Sequence, residues 1–66
     1  MMPAMKRRDL IKHLVKNGCI LLREGGKYSM FQNPTTLKEV PVTRHPEMAD
    51  FAAQKICKQL GIPPMD

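Results

Sequence analysis

Long apolar runs, cysteine pairs and acidic residues are all scarce in this chain, and each scarcity narrows what it can be. No apolar run exceeds the four residues Cys19 to Leu22, far short of the roughly 20 that cross a bilayer as a helix. The N-terminus, Met1 to Arg8, lacks the apolar middle of a secretory signal. The expectation is a soluble, cytoplasmic protein with no membrane partner. Cys19 and Cys57 stand 38 positions apart, with no Cys-x-x-Cys spacing. A disulfide-stapled mini-protein usually carries at least about four cysteines. His13 and His45 are the only histidines and have no cysteine pair near them, so no metal site is expected. The chain has 66 residues, and one this short buries only about 60% of its unfolded surface. Its core must come from ordinary packing or from a partner.

Acids number 6 against 11 Lys and Arg, for a formal net charge of +5. The excess is uneven. Residues 1–33 hold seven Lys/Arg against two acids, and residues 34–66 hold four against four. A basic half favours polyanions, because neutralised phosphates release counterions. Charge alone does not separate RNA, DNA and an acidic protein partner.

The hydrophobic pattern orders the elements. Leu10, Ile11, Leu14 and Val15 share one stripe of about 140° at helical rotation, with Asp9, Lys12, His13 and Lys16 opposite. This predicts a helix from about Lys6 to Asn17, with Pro3 in its first turn and Gly18 as a left-handed stop. Cys19 to Glu24 is too short for a helix and reads as a strand with apolar residues on both faces. Gly25-Gly26 can supply positive φ for a hairpin turn, and Tyr28 to Asn33 is the return strand. Lys38 to Val42 is a third strand, which Pro41 assigns to a sheet edge. A second helix is expected over about Glu47 to Leu60. Its buried stripe is Ala49, Ala52, Ala53, Ile56, Cys57 and Leu60, and Gly61 closes it. Phe51 falls about 160° from Ala53, off that stripe. The order α-β-β-β-α predicts an α+β fold, a three-stranded antiparallel sheet with both helices on one face.

Four segments in this order resemble one family. Lys6-Arg7-Arg8-Asp9-Leu10-Ile11 leading to Lys16-Asn17-Gly18 resembles the opening of HicA toxins, small bacterial mRNA interferases. Arg23-Glu24-Gly25-Gly26-Lys27-Tyr28-Ser29-Met30-Phe31 is similar to their signature hairpin. Val40-Pro41-Val42-Thr43-Arg44-His45-Pro46 is similar to their third strand and the turn after it. Lys55-Ile56-Cys57-Lys58-Gln59-Leu60-Gly61-Ile62 resembles their last helix. The likeness covers about residues 6–62 and implies one domain over residues 1–66, with short flexible tails. It further implies a fold like a double-stranded-RNA-binding domain and a cytoplasmic toxin–antitoxin module. In such a module a HicB-type antitoxin covers the toxin's active site.

The chemistry the resemblance implies is RNA cleavage without metal or cofactor, centred on one hairpin histidine. That histidine follows a Gly and one further residue, and here the position holds Tyr28. An imidazole has an ordinary pKa of about 6.5 and suits removal of a proton from a ribose 2′-hydroxyl. A phenol titrates near 10, so only about 0.1% of an ordinary one is phenolate at pH 7. RNA binding is therefore expected to survive better than cleavage. His45 is a second candidate base, with a turn-capping role as the blander alternative. His13 reads as a plain surface residue. Arg7, Arg8, Arg23, Lys27, Ser29 and Arg44 are the candidate RNA contacts, with Arg23 expected across the hairpin from Lys27. Phe51 suggests a contact for the antitoxin or a stack on RNA, with packing against Met48 as the blander alternative. The two-faced strand Cys19 to Leu22 suggests a surface for the antitoxin or for a second copy of the chain. A non-catalytic RNA-binding or regulatory protein of the same fold is the alternative.

Overall fold

The computed structural model describes residues 4–65; Pro3, expected in the first helical turn, lies outside them. The elements in order are β1 (Ala4–Lys6), α1 (Arg7–Lys16), β2 (Ile20–Glu24), β3 (Tyr28–Asn33), β4 (Lys38–Thr43), β5 (Glu47–Ala49) and α2 (Asp50–Leu60). Strands β2, β3 and β4 form an antiparallel sheet in that order, so Pro41 does lie on an edge strand. The architecture is the expected α+β, double-stranded-RNA-binding-domain-like arrangement with two additional short strands.

The helix ends follow from two glycines. At α1 the Cys19 N–H donates to the Leu14 carbonyl at 2.9 Å and the Gly18 N–H to the Val15 carbonyl at 3.0 Å. At α2 the Ile62 N–H reaches the Cys57 carbonyl at 3.0 Å and the Gly61 N–H the Lys58 carbonyl at 3.1 Å. Both are Schellman closures, which need a left-handed residue just past the helix. Gly18 and Gly61 supply it, at φ 87° and 74°. Each closure also turns an apolar side chain, Cys19 or Ile62, back into the core.

The core is one cluster. Leu10 and Leu14 of α1 and Ala53, Cys57 and Leu60 of α2 meet Phe31 of β3 and Val40 and Val42 of β4. These strand residues alternate along their strands, so one sheet face takes both helices. Leu10, Leu14 and Leu60 are completely inaccessible, a burial that contributes about 1.5–3 kcal/mol each. Burial raises the pKa of both free thiols, Cys19 and Cys57, above the ordinary cysteine range.

Three expectations need correction. Val15 is exposed: the sheet covers the side of α1 centred on Leu10 and Leu14, and Val15 lies at the far margin of the apolar arc. On β2 no apolar set is buried; Ile20, Leu21 and Leu22 are 40–47% exposed. The helices lie over β3 and β4, and a bulge between Leu21 and Arg23 shifts the register of this edge strand. Finally, Glu47–Ala49 is extended rather than helical. It pairs antiparallel with Ala4–Lys6, Met5 opposite Met48, and the Arg7 N–H donates to the Pro46 carbonyl at 2.9 Å. This clasp ties the two helix starts together and draws the N-terminus of α1 against the segment after β4. No helix of the described residues is long and apolar enough to cross a membrane.

Candidate nucleic-acid interface

The clasp gathers basic side chains that are far apart in sequence. Lys6, Arg7 and Arg8 at the start of α1 line a cleft of about 490 Å3 with Arg44, Pro46 and Glu47. Arg44 and Pro46 also border a second depression with Lys27 and His45. A continuous basic strip therefore runs from α1, across the end of β4, to the tip of the β2–β3 hairpin. His45 and Lys27 meet there because β4 pairs with β3, with Tyr28 opposite Thr43.

Strand alternation separates Tyr28 from Ser29. Tyr28 points away from the helices and is 38% exposed, whereas Ser29 is fully buried. Ser29 is thus not an RNA-facing residue. Its hydroxyl accepts from Arg7 Nη2 at 2.8 Å and donates to Glu24 Oε1 at 2.6 Å. Arg23 stands opposite Met30, not Lys27; the bulge moves it one place beyond Ser29, which the register of Ile20 and Leu21 would have set opposite it. It shares the outward face of the sheet with Tyr28, two pairs further from the hairpin tip.

Glycine works here by size. Neither Gly25 nor Gly26 takes a positive φ, so the expected left-handed turn is absent. The Gly25 N–H donates to the Tyr28 carbonyl at 2.7 Å. A Cβ at residue 25 would stand 3.0 Å from that oxygen and 3.7 Å from the tyrosine ring. The tight approach is to the Tyr28 backbone oxygen; the ring itself would be at ordinary contact distance from a side chain at residue 25.

Glu24 is the hub that sequence reasoning missed. Its Oε2 pairs with Arg44 Nη2 at 2.5 Å, and Arg44 Nε donates to the Gly25 carbonyl at 2.9 Å. Arg7 Nε donates to the Thr43 carbonyl at 2.7 Å. The Ser29 hydrogen bond, followed by that of Arg44, holds the Glu24 carboxyl below its ordinary pKa. Only the bulge makes Glu24 the direct cross-strand neighbour of Ser29; the unshifted register would set it opposite Tyr28.

His13 lies apart from this strip. Its Nε2 donates to the Pro63 carbonyl at 2.7 Å, and Gln54 bonds both the N–H and the carbonyl of Met65 at 3.0 Å. Phe51 is 65% exposed at the start of α2.

Comparison with curated proteins and with solved structures gives no match. Residues 7–62 match the sequence model of the family described as HicA toxin of bacterial toxin-antitoxin. That span takes in α1, the hairpin, the basic strip apart from Lys6, and both Schellman closures, and the chain belongs to the HicA toxin family.

Proposed function

We propose that this chain is the toxin of a cytoplasmic toxin–antitoxin module and binds mRNA along the strip from Lys6 to Lys27. The observation that carries the reading is the convergence of Arg7, Arg8, Arg44, His45 and Lys27 beside the exposed Tyr28. Side chains of this kind neutralise phosphates, and an aromatic at the same edge stacks on an unpaired base. The resemblance to HicA interferases makes residue 28 the position of the catalytic base.

Tyr28 at that position leaves a ribonuclease scaffold with weak or absent cleavage. A positioned proton acceptor ordinarily contributes about 10²–10⁴-fold, and a phenol supplies little of it at neutral pH. The reaction class is attack of a ribose 2′-hydroxyl on the adjacent phosphate, with Lys27 and Arg44 offsetting charge on the phosphate and His45 as a secondary proton carrier. No metal or cofactor enters this scheme. A HicB-type antitoxin is the protein partner, and the open edge of β2 also admits a second copy of the chain.

The test is RNA binding across a salt series together with cleavage by the chain and by Tyr28→His. Binding that weakens steeply with salt, and cleavage that rises in Tyr28→His, support the reading. If neither form cuts RNA, the nuclease ancestry is wrong. If binding ignores salt, the strip is not a phosphate track.

A further inference from the structure

Glu24 is an acid set among cations, the reverse of what attraction to a polyanion favours. Each of its oxygens is committed, Oε1 to Ser29 and Oε2 to Arg44. Ser29 in turn is occupied on both sides, since its hydroxyl also accepts from Arg7. The chain Arg7–Ser29–Glu24–Arg44 joins the first residue of α1 to the segment after β4 through the buried face of the hairpin. Each guanidinium is anchored a second time by a carbonyl, Thr43 for Arg7 and Gly25 for Arg44. An arginine carries about five N–H donors; each of these commits two to the frame, and the others remain for an oxyanion.

We propose that Glu24 is a positioning residue for RNA: through the Ser29 hydroxyl and its own ion pair it fixes Arg7 and Arg44 as neighbouring donors for the phosphates of an RNA backbone. The inference rests on the RNA-binding reading above and adds how the arginines are held. Arginines fixed before binding lose little further side-chain freedom when they meet a phosphate, and that smaller ordering cost appears as affinity. The Ser29 link is shielded because the hydroxyl is inaccessible to water, so the frame persists where an exposed ion pair alone would be loose.

The experiment is fluorescence anisotropy of a labelled single-stranded RNA oligonucleotide of mixed sequence, with Glu24→Gln and Glu24→Asp, over a series of salt concentrations. Both variants change an exposed side chain, and thermal melting checks that each is folded. Glu24→Gln removes an acid, so a simple counter-charge predicts tighter binding and a steeper salt dependence. The positioning role predicts the opposite: about tenfold weaker binding, with the slope of log K against log salt flattened by up to about 0.7 for each phosphate no longer neutralised. Glu24→Asp keeps the charge but shortens the reach, and is expected to weaken binding as well. In an Arg7→Ala, Arg44→Ala background the Glu24→Gln effect is expected to vanish. Equal or tighter binding by Glu24→Gln, while the unaltered chain binds with clear salt dependence, overturns the positioning role alone. Absence of salt-dependent binding by the unaltered chain overturns the RNA reading beneath it.

Discussion

The side-chain amide of Asn33 donates to the Leu60 carbonyl at 2.7 Å, so the last residue of β3 closes the last turn of α2. The same side chain accepts from the Thr35 N–H at 3.0 Å through Oδ1, shaping the loop that leads into β4. Asn33 is buried, so its removal opens neither bond freely to solvent. Asn33→Ala is expected to cost about 1–3 kcal/mol, because it leaves a loop N–H unpaired and the Leu60 carbonyl with only the long bond from the Thr36 hydroxyl at 3.5 Å. Asn33→Asp should cost a similar amount by presenting an acceptor to an acceptor. Urea unfolding of the two variants measures this, and a loss below about 0.5 kcal/mol would show that the loop rearranges to satisfy Leu60 by other means.

Leu37 ends that loop with φ 63° and 70% of its surface exposed. A left-handed conformation costs a residue with a Cβ about 1–2 kcal/mol, and exposure means little packing offsets it. Leu37→Gly removes the strain but gives the unfolded chain more freedom, about 0.5–1 kcal/mol. The net expectation is a gain of about 0.5–1 kcal/mol, read as a Tm rise of about 2–8 °C for a domain of this size. A lower Tm would mean that the Leu37 side chain contributes packing that its exposure conceals.

Periodicity and glycine placement made much of this fold legible. Leu10, Leu14, Ala53, Cys57 and Leu60 announce themselves by helical spacing, and Gly18 and Gly61 by the stops they provide. β3 begins just past Gly25-Gly26 and ends before Pro34, as those breakers predict. The β1–β5 clasp was not legible, because Ala4–Lys6 and Glu47–Ala49 are three residues each and carry no alternation. Their pairing is a tertiary event, and it is what delivers Arg7 to Arg44. At the candidate interface the basic residues were legible as composition. Their partition was not: Ser29 faces inward by the alternation of β3, and a single bulge on β2 moves Arg23 opposite Met30. Glu24 was hidden for a different reason, since an acid in a basic segment looks like solvation until its two partners are in place.

The Glu24 network predicts a specific pH dependence. Hydrogen bonds from Ser29 and Arg44 hold its folded pKa below the ordinary value. A depressed folded value stabilises the fold in full above the unfolded pKa, about 4.3, and the contribution is lost as pH falls through the folded value. The stability difference between the chain and Glu24→Gln should therefore be present at pH 7 and should shrink once the pH drops below about 4.3. Thermal melts of both proteins across that range measure it. A difference that persists unchanged in acid would show that the carboxylate charge is not what orders the hairpin mouth.

Phe51 offers a separable handle on the protein partner. It is 65% exposed at the start of α2, so its removal should leave Tm nearly unchanged. An exposed aromatic contributes little to the fold until a partner buries it, and buried aromatic anchors dominate interface energies. With a HicB-type antitoxin, Phe51→Ala is expected to weaken binding by about 2 kcal/mol, roughly thirtyfold in Kd. Calorimetric titration would show it; unchanged affinity would move the antitoxin to another face, with the exposed Ile20, Leu21 and Leu22 of β2 the next to test.

The two hairpin glycines should respond oppositely to the same substitution. Neither uses a left-handed φ, so backbone conformation does not forbid alanine at either. At Gly26 an added Cβ meets nothing within 4 Å, and Gly26→Ala should be neutral or stabilise by about 0.4–1 kcal/mol through the unfolded state. At Gly25 it would lie 3.0 Å from the Tyr28 carbonyl, a backbone atom that cannot swing aside like the end of a side chain. The hairpin mouth must open to admit the methyl, lengthening the Gly25–Tyr28 hydrogen bond and displacing the carbonyl that Arg44 Nε grips. Gly25→Ala is therefore expected to destabilise by about 1–3 kcal/mol and to lower RNA affinity, whereas Gly26→Ala leaves affinity as it was. Equal behaviour of the two variants in melting and anisotropy would show that the close approach at residue 25 does not hold the tyrosine in place.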